Sequence, residues 1–218
     1  MIELPNFESS FEYENNYFLS CDTSRIAKLI AHYNFFEKTK EIGGSIVECG
    51  VFKGSSISRF AMFRKLLNIE EKKIIGFDTF SSFPETNFEL DKVLRTNFIN
   101  TAGKESISVE QLLAVLEKKK CDKNIELIEG DIVQTVPKYI EKNRDLKISL
   151  INIDVDLFEP TEVILKHFYP RLSFGGIMIL DDYKKFKGET VAVDDYFKDK
   201  NITIQEPIYP NTPYYIIK

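Results

Sequence analysis

Apolar side chains first recur at helical spacing between Ser24 and about Lys40. There Ile26, Ala27, Leu29, Ile30, Tyr33 and Phe36 share a face, Asp22, Thr23 or Ser24 stands at the capping position, and Gly43 and Gly44 follow the end. From there strand and helix patterns alternate. SIVECG (45–50) reads as a strand, the residues after Gly54 to about Leu67 as a helix, KIIGFD (73–78) as a strand, and SVEQLLAVLEKKK (108–120) as a helix that Ser108 and Gln111 open with a capping box. NIELIEG (124–130) is a strand, VPKYIEKN (136–143) a short helix, KISLINID (147–154) a strand, TEVILKHFYPRL (161–172) a helix and GGIMILDD (175–182) a strand. Near-continuous apolar runs mark strands buried on both faces, as parallel strands between helices are. The pattern predicts an α/β, doubly wound, mostly parallel sheet.

Three segments depart from that alternation. After a predicted helix over ETVAVDDYFK (189–198), ITIQEPIY and TPYYIIK flank Pro-Asn-Thr-Pro turn chemistry, which predicts an antiparallel hairpin closing the sheet edge. Residues 81–108 are long, rich in Phe, Asn and Thr, and aperiodic, the mark of a lid or binding loop. The first twenty residues carry Phe7, Phe11, Tyr13, Tyr17 and Phe18 among Glu and Asn without a clear period; they read as an arm over a site or a partner, a homodimer contact included. No internal repeat is visible, and residues 1–218 read as one domain.

Acidic residues close three of the apolar runs. Asp78 ends the second strand, Asp154 and Asp156 follow the fourth, and Asp181 and Asp182 end the fifth. That edge of an open parallel sheet is where ligands bind. If the last two runs are neighbours, four carboxylates share one small volume, and their repulsion requires a cation or raised pKa values. Asp154, Asp181 and Asp182 offer only oxygen, and the two histidines, His32 and His167, lie in helical patterns away from these strand ends. All-oxygen ligation points to Mg2+, with Mn2+ or Ca2+ as relatives, rather than zinc.

The first strand runs into Glu48-Cys49-Gly50-Val51-Phe52-Lys53-Gly54-Ser55-Ser56 and then a helix, so glycines and helix N–H groups face a ligand. The pattern is not GxGxxG, and Glu48 would repel a dinucleotide pyrophosphate while suiting a cationic ligand. S-adenosyl-L-methionine, with a sulfonium and an ammonium, fits better than a nicotinamide dinucleotide. Asp78, about twenty residues past the glycine turn, is placed to accept both ribose hydroxyls; the plainer reading is a cap on Thr79 to Ser82. Asp131 can accept from an adenine amino group or simply form a turn. Phe80 packs on the adenosine or fills the core. Val51 and Thr79 fall beside these groups and complete the candidate cofactor set, together with Asp154.

The formal net charge of −5 and the scatter of lysines argue against a nucleic-acid footprint. Lys118, Lys119 and Lys120 complement a helix dipole. Cys21, Cys49 and Cys121 are odd in number and far apart, without a CxxC pair, so neither a disulfide framework nor a zinc cluster is indicated. No apolar stretch approaches the roughly 18 residues that cross a bilayer, and the acidic, aromatic amino terminus is unlike a signal peptide. The expected setting is cytoplasmic and the expected partner a small molecule.

The set IVECGVFKGSS, GFDTFSSFP, INIDVDLFEPT and FYPRLSFGGIMILDDY, in this order from about Gly44 to about Lys198, resembles the macrocin O-methyltransferase family of class I methyltransferases, which methylate sugar hydroxyls. The resemblance implies a seven-stranded Rossmann-like sheet in the order 3-2-1-4-5-7-6 with an antiparallel carboxyl-terminal strand. It implies Asp154, Asp181 and Asp182 as Mg2+ ligands and Asp156 as general base. It gives Glu48, Gly50, Gly54, Ser55, Ser56 and Asp78 to the cofactor. The acceptor is then a sugar or glycoside hydroxyl, with a catechol or other phenol as the alternative; a cofactor-binding protein without chemistry is the non-enzymatic alternative.

Overall fold

The structure is a computed structural model that describes residues 2–218. Two helices, α1 (Ser10–Ser20) and α2 (Thr23–Thr39), precede β1 (Ser45–Cys49), α3 (Ser55–Leu66) and β2 (Ile74–Asp78). The chain continues through α4 (Lys92–Ala102), α5 (Val109–Lys118), β3 (Ile125–Glu129), α6 (Ile132–Lys142) and β4 (Ile148–Ile153). It ends with α7 (Phe158–Phe168), β5 (Leu172–Leu180), α8 (Lys187–Phe197) and β6 (Tyr214–Ile217). The sheet order is β3-β2-β1-β4-β5-β6, parallel throughout except for β6, which runs antiparallel to β5.

Local sequence explains the elements. Every residue of β2 and β4 is buried, which is why their apolar runs do not alternate. Asp22 caps α2 by accepting from the Ser24 N–H at 2.8 Å, and the Ser108/Gln111 box caps α5 as expected. Helices cover both faces. Phe35, Phe36, Phe60, Leu112 and Leu116 from α2, α3 and α5 pack one side, and Val136, Ile164, Phe168 and Phe197 from α6, α7 and α8 pack the other. Among the described residues, no helix is long and apolar enough to cross a membrane.

Among the described residues the sheet has six strands, not the expected seven. TPYYIIK pairs with β5 as the seventh strand was expected to, but ITIQEPIY contributes only an isolated antiparallel bridge, Gln205 to Tyr215. Pro207 has no N–H to give a ladder. Ile202 and Ile204 pack against one side of the core and Ile208 against the other, so the segment is held by its side chains instead.

The aperiodic amino-terminal arm contains a regular helix. None of the residues of α1 is buried; Phe11 is 77% exposed and Phe18 58%. The lid expected at 81–108 also has structure of its own, the helix α4. Its anchor is Asp91, fully buried, whose carboxylate accepts from the Phe158 N–H at 2.9 Å and the Gly188 N–H at 2.7 Å. One lid residue thus ties down the first turns of α7 and α8, the helices that follow the two pairs of strand-end aspartates. Gly188 is required there, since a Cβ would lie 1.9 Å from an Asp91 oxygen. Glu159 adds bonds from the N–H groups of Asn87 and Phe88. Asp91→Ala leaves two buried donors unpaired and is expected to lower unfolding free energy by about 2–4 kcal/mol. Chemical denaturation checks this, and a loss under about 0.5 kcal/mol would contradict it.

Candidate active site

The carboxyl ends of the parallel strands open into a cavity of about 840 Å³, near the upper end of the roughly 300–1,000 Å³ found for small-molecule sites. It lies where strand order reverses between β1 and β4, the position at which open α/β sheets bind ligands. Gly50, Val51, Ser55, Ser56, Asp78, Thr79 and Asp131 line one part of it, and Asp154, Asp156, Asp181 and Asp182 another.

The turn after β1 is built by contacts within the protein. Gly50 has φ +90°, and a Cβ there would lie 1.7 Å from the Asp154 carbonyl oxygen, so the loops after β1 and β4 touch at this point. Asp78 Oδ2 accepts from the Val51 and Phe52 N–H groups at 2.8 and 2.9 Å, and its Oδ1 from the Phe80 N–H at 2.7 Å. Asp78 therefore fastens the turn as well as facing the cavity; both lone pairs of Oδ2 are engaged, and Oδ1, whose second contact is the Thr79 hydroxyl at 3.4 Å, is the oxygen open to a ligand hydroxyl. Asp131 caps α6 through the Val133 N–H at 2.9 Å and stands at the cavity rim.

Three residues of the candidate cofactor set are not in the wall. Glu48 is fully buried behind it, where Oε1 accepts from the Ser56 hydroxyl and Oε2 has no partner; burial raises its pKa to about 8. Gly54 takes a left-handed φ of +80° to start α3, and its missing side chain makes room for Leu112 and Ile107. Phe80 is a core residue packed with the α2–α3–α5 layer, which decides between its two readings.

At the other end, one oxygen from each of Asp154, Asp181 and Asp182 lies within 4.8 Å of the other two. The pairing of Ile153 with Leu180 brings the two strand ends side by side. Oxygens held at about 2.1 Å from one Mg2+ lie no more than about 4.2 Å apart, so the three carboxylates would close in on the ion as it bound. A cation already stands among them, because Lys28 from α2 sends its Nζ to within 2.8 Å of Asp181 Oδ2 and 3.6 Å of Asp154 Oδ2. The donor set fits a hard divalent ion.

The charges divide unevenly. Burial pushes Asp181 upward, but Lys28 and Lys185 outweigh it and hold the carboxyl below its usual range. Burial and repulsion from Asp181 raise Asp154 to about 6. Burial, with the neighbouring carboxylates, raises Asp156 to about 7 and Asp182 well above its ordinary value. Glu189 from α8, fully buried and also raised by burial, accepts from the Asp182 N–H at 3.2 Å and orients that loop.

Lys28, Arg59 and Glu189 are the site residues that sequence reading missed. Lys28 lies one helical turn before Ala31 and His32, on the extension of the buried stripe of α2, and a cation continuing an apolar stripe was the available signal. His32 is also nearer than expected, close enough to Asp181 to act on its charge, although buried, neutral and stacked on Phe60 at 5.3 Å.

A Rossmann-like α/β sheet with an antiparallel last strand and a cleft of this form at its switch point is the class I methyltransferase fold. Within that class the profile of the macrocin-O-methyltransferase (TylF) family matches residues 23–210, and the chain belongs to this family. It is 27% identical over 146 residues to the 8-demethyl-8-(2,3-dimethoxy-alpha-L-rhamnosyl)-tetracenomycin-C 4'-O-methyltransferase of Streptomyces olivaceus, which covers 65% of this chain and 54% of the relative. It is 23% identical over 150 residues to the mycinamicin III 3''-O-methyltransferase of Micromonospora griseorubida, with 65% and 56% covered. The chain thus spans little more than half the length of these curated relatives. Among solved structures, the calicheamicin methyltransferase CalS11 superposes with a TM-score of 0.80 at 28% identity, covering 95% of this chain and 85% of that one. The O-methyltransferase NovP shares the fold, with a TM-score of 0.75 at 20% identity over 88% and 80% of the two chains.

Proposed function

We propose that the protein is an S-adenosyl-L-methionine-dependent and Mg2+-dependent O-methyltransferase whose acceptor is a hydroxyl of a sugar or glycoside. The observation that carries this reading is the convergence of the Asp154, Asp181 and Asp182 oxygens in the wall of the cavity that also holds the Gly50 turn, Asp78 and Asp131. The rhamnosyl group in the name of the tetracenomycin relative supports a sugar acceptor.

S-adenosyl-L-methionine supplies a methyl group on a positive sulfur, and Mg2+ held by Asp154, Asp181 and Asp182 supplies Lewis-acid polarisation of the acceptor hydroxyl. The chain contributes position and a proton acceptor. Asp78 fixes the Val51–Phe52 turn on which the donor rests, and Asp131 bounds the adenine end. Asp91 and Glu189 hold the loops that carry the four aspartates. Asp156 takes the hydroxyl proton. A carboxylate is ordinarily too weak a base for an alcohol, and burial brings Asp156 to about 7, nearer a matched range. In-line alignment supplies most of the rate.

Incubation with labelled S-adenosyl-L-methionine, MgCl2 and a panel of glycosides and nucleotide sugars, read by mass gain, tests the reading. A 14-dalton gain on a sugar that EDTA abolishes supports it; methylation of catechols alone, or indifference to chelation, overturns it. The pH dependence follows from Asp154. Its raised pKa means that protons compete with a cation below about pH 6, and that the competition fades as pH rises through that value. Millimolar MgCl2 is therefore expected to raise the melting temperature clearly at about pH 8 and little at about pH 5. Equal shifts, in a scanning fluorimetry series, would contradict the assignment of Asp154 as a ligand.

A further inference from the structure

Among the cations that line the cavity, Arg59 stands apart. Lys28 is engaged by Asp181 and Asp154, and Lys53 donates to the Ala102 carbonyl while lying 5.0 Å from the Phe52 ring centre. Arg25, at the start of α2, is exposed to solvent. Arg59 is half-buried on α3, one turn beyond Ser55 and Ser56, and its Nε is buried without a hydrogen-bond partner. No hydrogen bond or ion pair engages its guanidinium among the described residues. It is near enough to Glu48 and Asp154 for its charge to act on both. An arginine Nε shut from water without a partner is costly to leave unmatched, and the planar guanidinium fork pairs best with a carboxylate or phosphate.

Its place in the cleft selects between the two. The strand order β3-β2-β1-β4 sets Asp131, Asp78, the Gly50 turn and Asp154 in succession along the cavity, and Arg59 of α3, in the same lining, acts by its charge on Asp154 at the far end of that succession. A donor laid with its adenine at Asp131 and its ribose at Asp78 brings its amino-acid end to Arg59. That end is a zwitterion and needs one partner of each sign; Arg59 and Asp154 offer both at the same end of the wall. Resting on the cofactor reading above, we infer that Arg59 is the cofactor-binding residue that receives the α-carboxylate of the methyl donor.

Calorimetric titration with two ligands tests this. S-adenosylhomocysteine carries the carboxylate, whereas 5'-methylthioadenosine keeps the adenosine and sulfur but lacks the amino-acid end. Arg59→Met is expected to weaken S-adenosylhomocysteine by about tenfold to a hundredfold, the scale of a lost charge-assisted bond, and to leave methylthioadenosine within about twofold, which also reports that the pocket is folded. Arg59→Lys should recover part of the loss. The assignment is overturned if both ligands weaken in parallel, or if S-adenosylhomocysteine binds the Met variant as it binds the wild type. It is equally overturned, in favour of an acceptor phosphate, if only binding of thymidine diphosphate is lost. Failure of the unmodified protein to bind either adenosine ligand would instead remove the cofactor reading itself.

Discussion

Asp156→Asn is expected to bind S-adenosylhomocysteine and Mg2+ as the unmodified protein does and to lose turnover by about a hundredfold or more, the usual scale for removal of a general base. The substitution is well suited to the position. Asp156 has φ +61°, a left-handed conformation that Asn tolerates better than most residues, so the backbone of the loop is preserved. The side chain is 6% exposed and beside Asp182, so the amide keeps the volume while removing the proton acceptor. Single-turnover methyl transfer together with calorimetry separates the two effects. A variant that turns over normally, or one that loses cofactor affinity instead, removes Asp156 from the role of base.

Gly50→Ala is the second large effect, and it acts through geometry. A methyl group at Gly50 would lie 1.7 Å from the Asp154 carbonyl oxygen, and a φ of +90° is strained for any residue with a Cβ. The loops after β1 and β4 would have to part. One carries the turn that Asp78 holds and the other carries Asp154, so both halves of the site shift together. A loss of about 3 kcal/mol or more in unfolding free energy is expected, with weakened binding of cofactor and metal. Gly43→Ala is the matched control, since a Cβ there meets nothing within 4 Å. Its stability should change by no more than about 0.5 kcal/mol. If the two variants behave alike, the close approach of these loops is not what shapes the site.

The parts of this site that could be read from sequence are those fixed by strand ends. Buried parallel strands are continuous apolar runs, so the residue that follows each run is placed at the ligand edge whatever the rest of the fold does. That logic found Asp78, Asp154, Asp156, Asp181 and Asp182 on the cavity wall. It also found the turn at Gly50, although the nearest atom to its missing side chain belongs to Asp154 rather than to a ligand. Residues delivered by helix packing were not legible in the same way. Lys28 and Arg59 sit on α2 and α3, and their arrival beside the aspartates depends on how those helices lie on the sheet. Glu48 illustrates a related limit: strand position shows that it lies near the turn, but not that its side chain, bonded to Ser56, is buried behind the wall. At the carboxyl terminus, two β-like segments predicted a hairpin, yet Pro207 and side-chain packing left the first as a single bridge at Gln205.

The central claim is that Asp154, Asp181 and Asp182 together hold a divalent ion beside the methyl donor. Anomalous diffraction from crystals grown with S-adenosylhomocysteine and Mn2+, a metal suited to the same oxygen ligands, tests it most directly. The account predicts one strong manganese peak bonded to all three carboxylates, with Lys28 no longer paired to Asp181. Crystals that hold the adenosine ligand in the cleft but show no peak there, with Lys28 still bonded to Asp181, would contradict it.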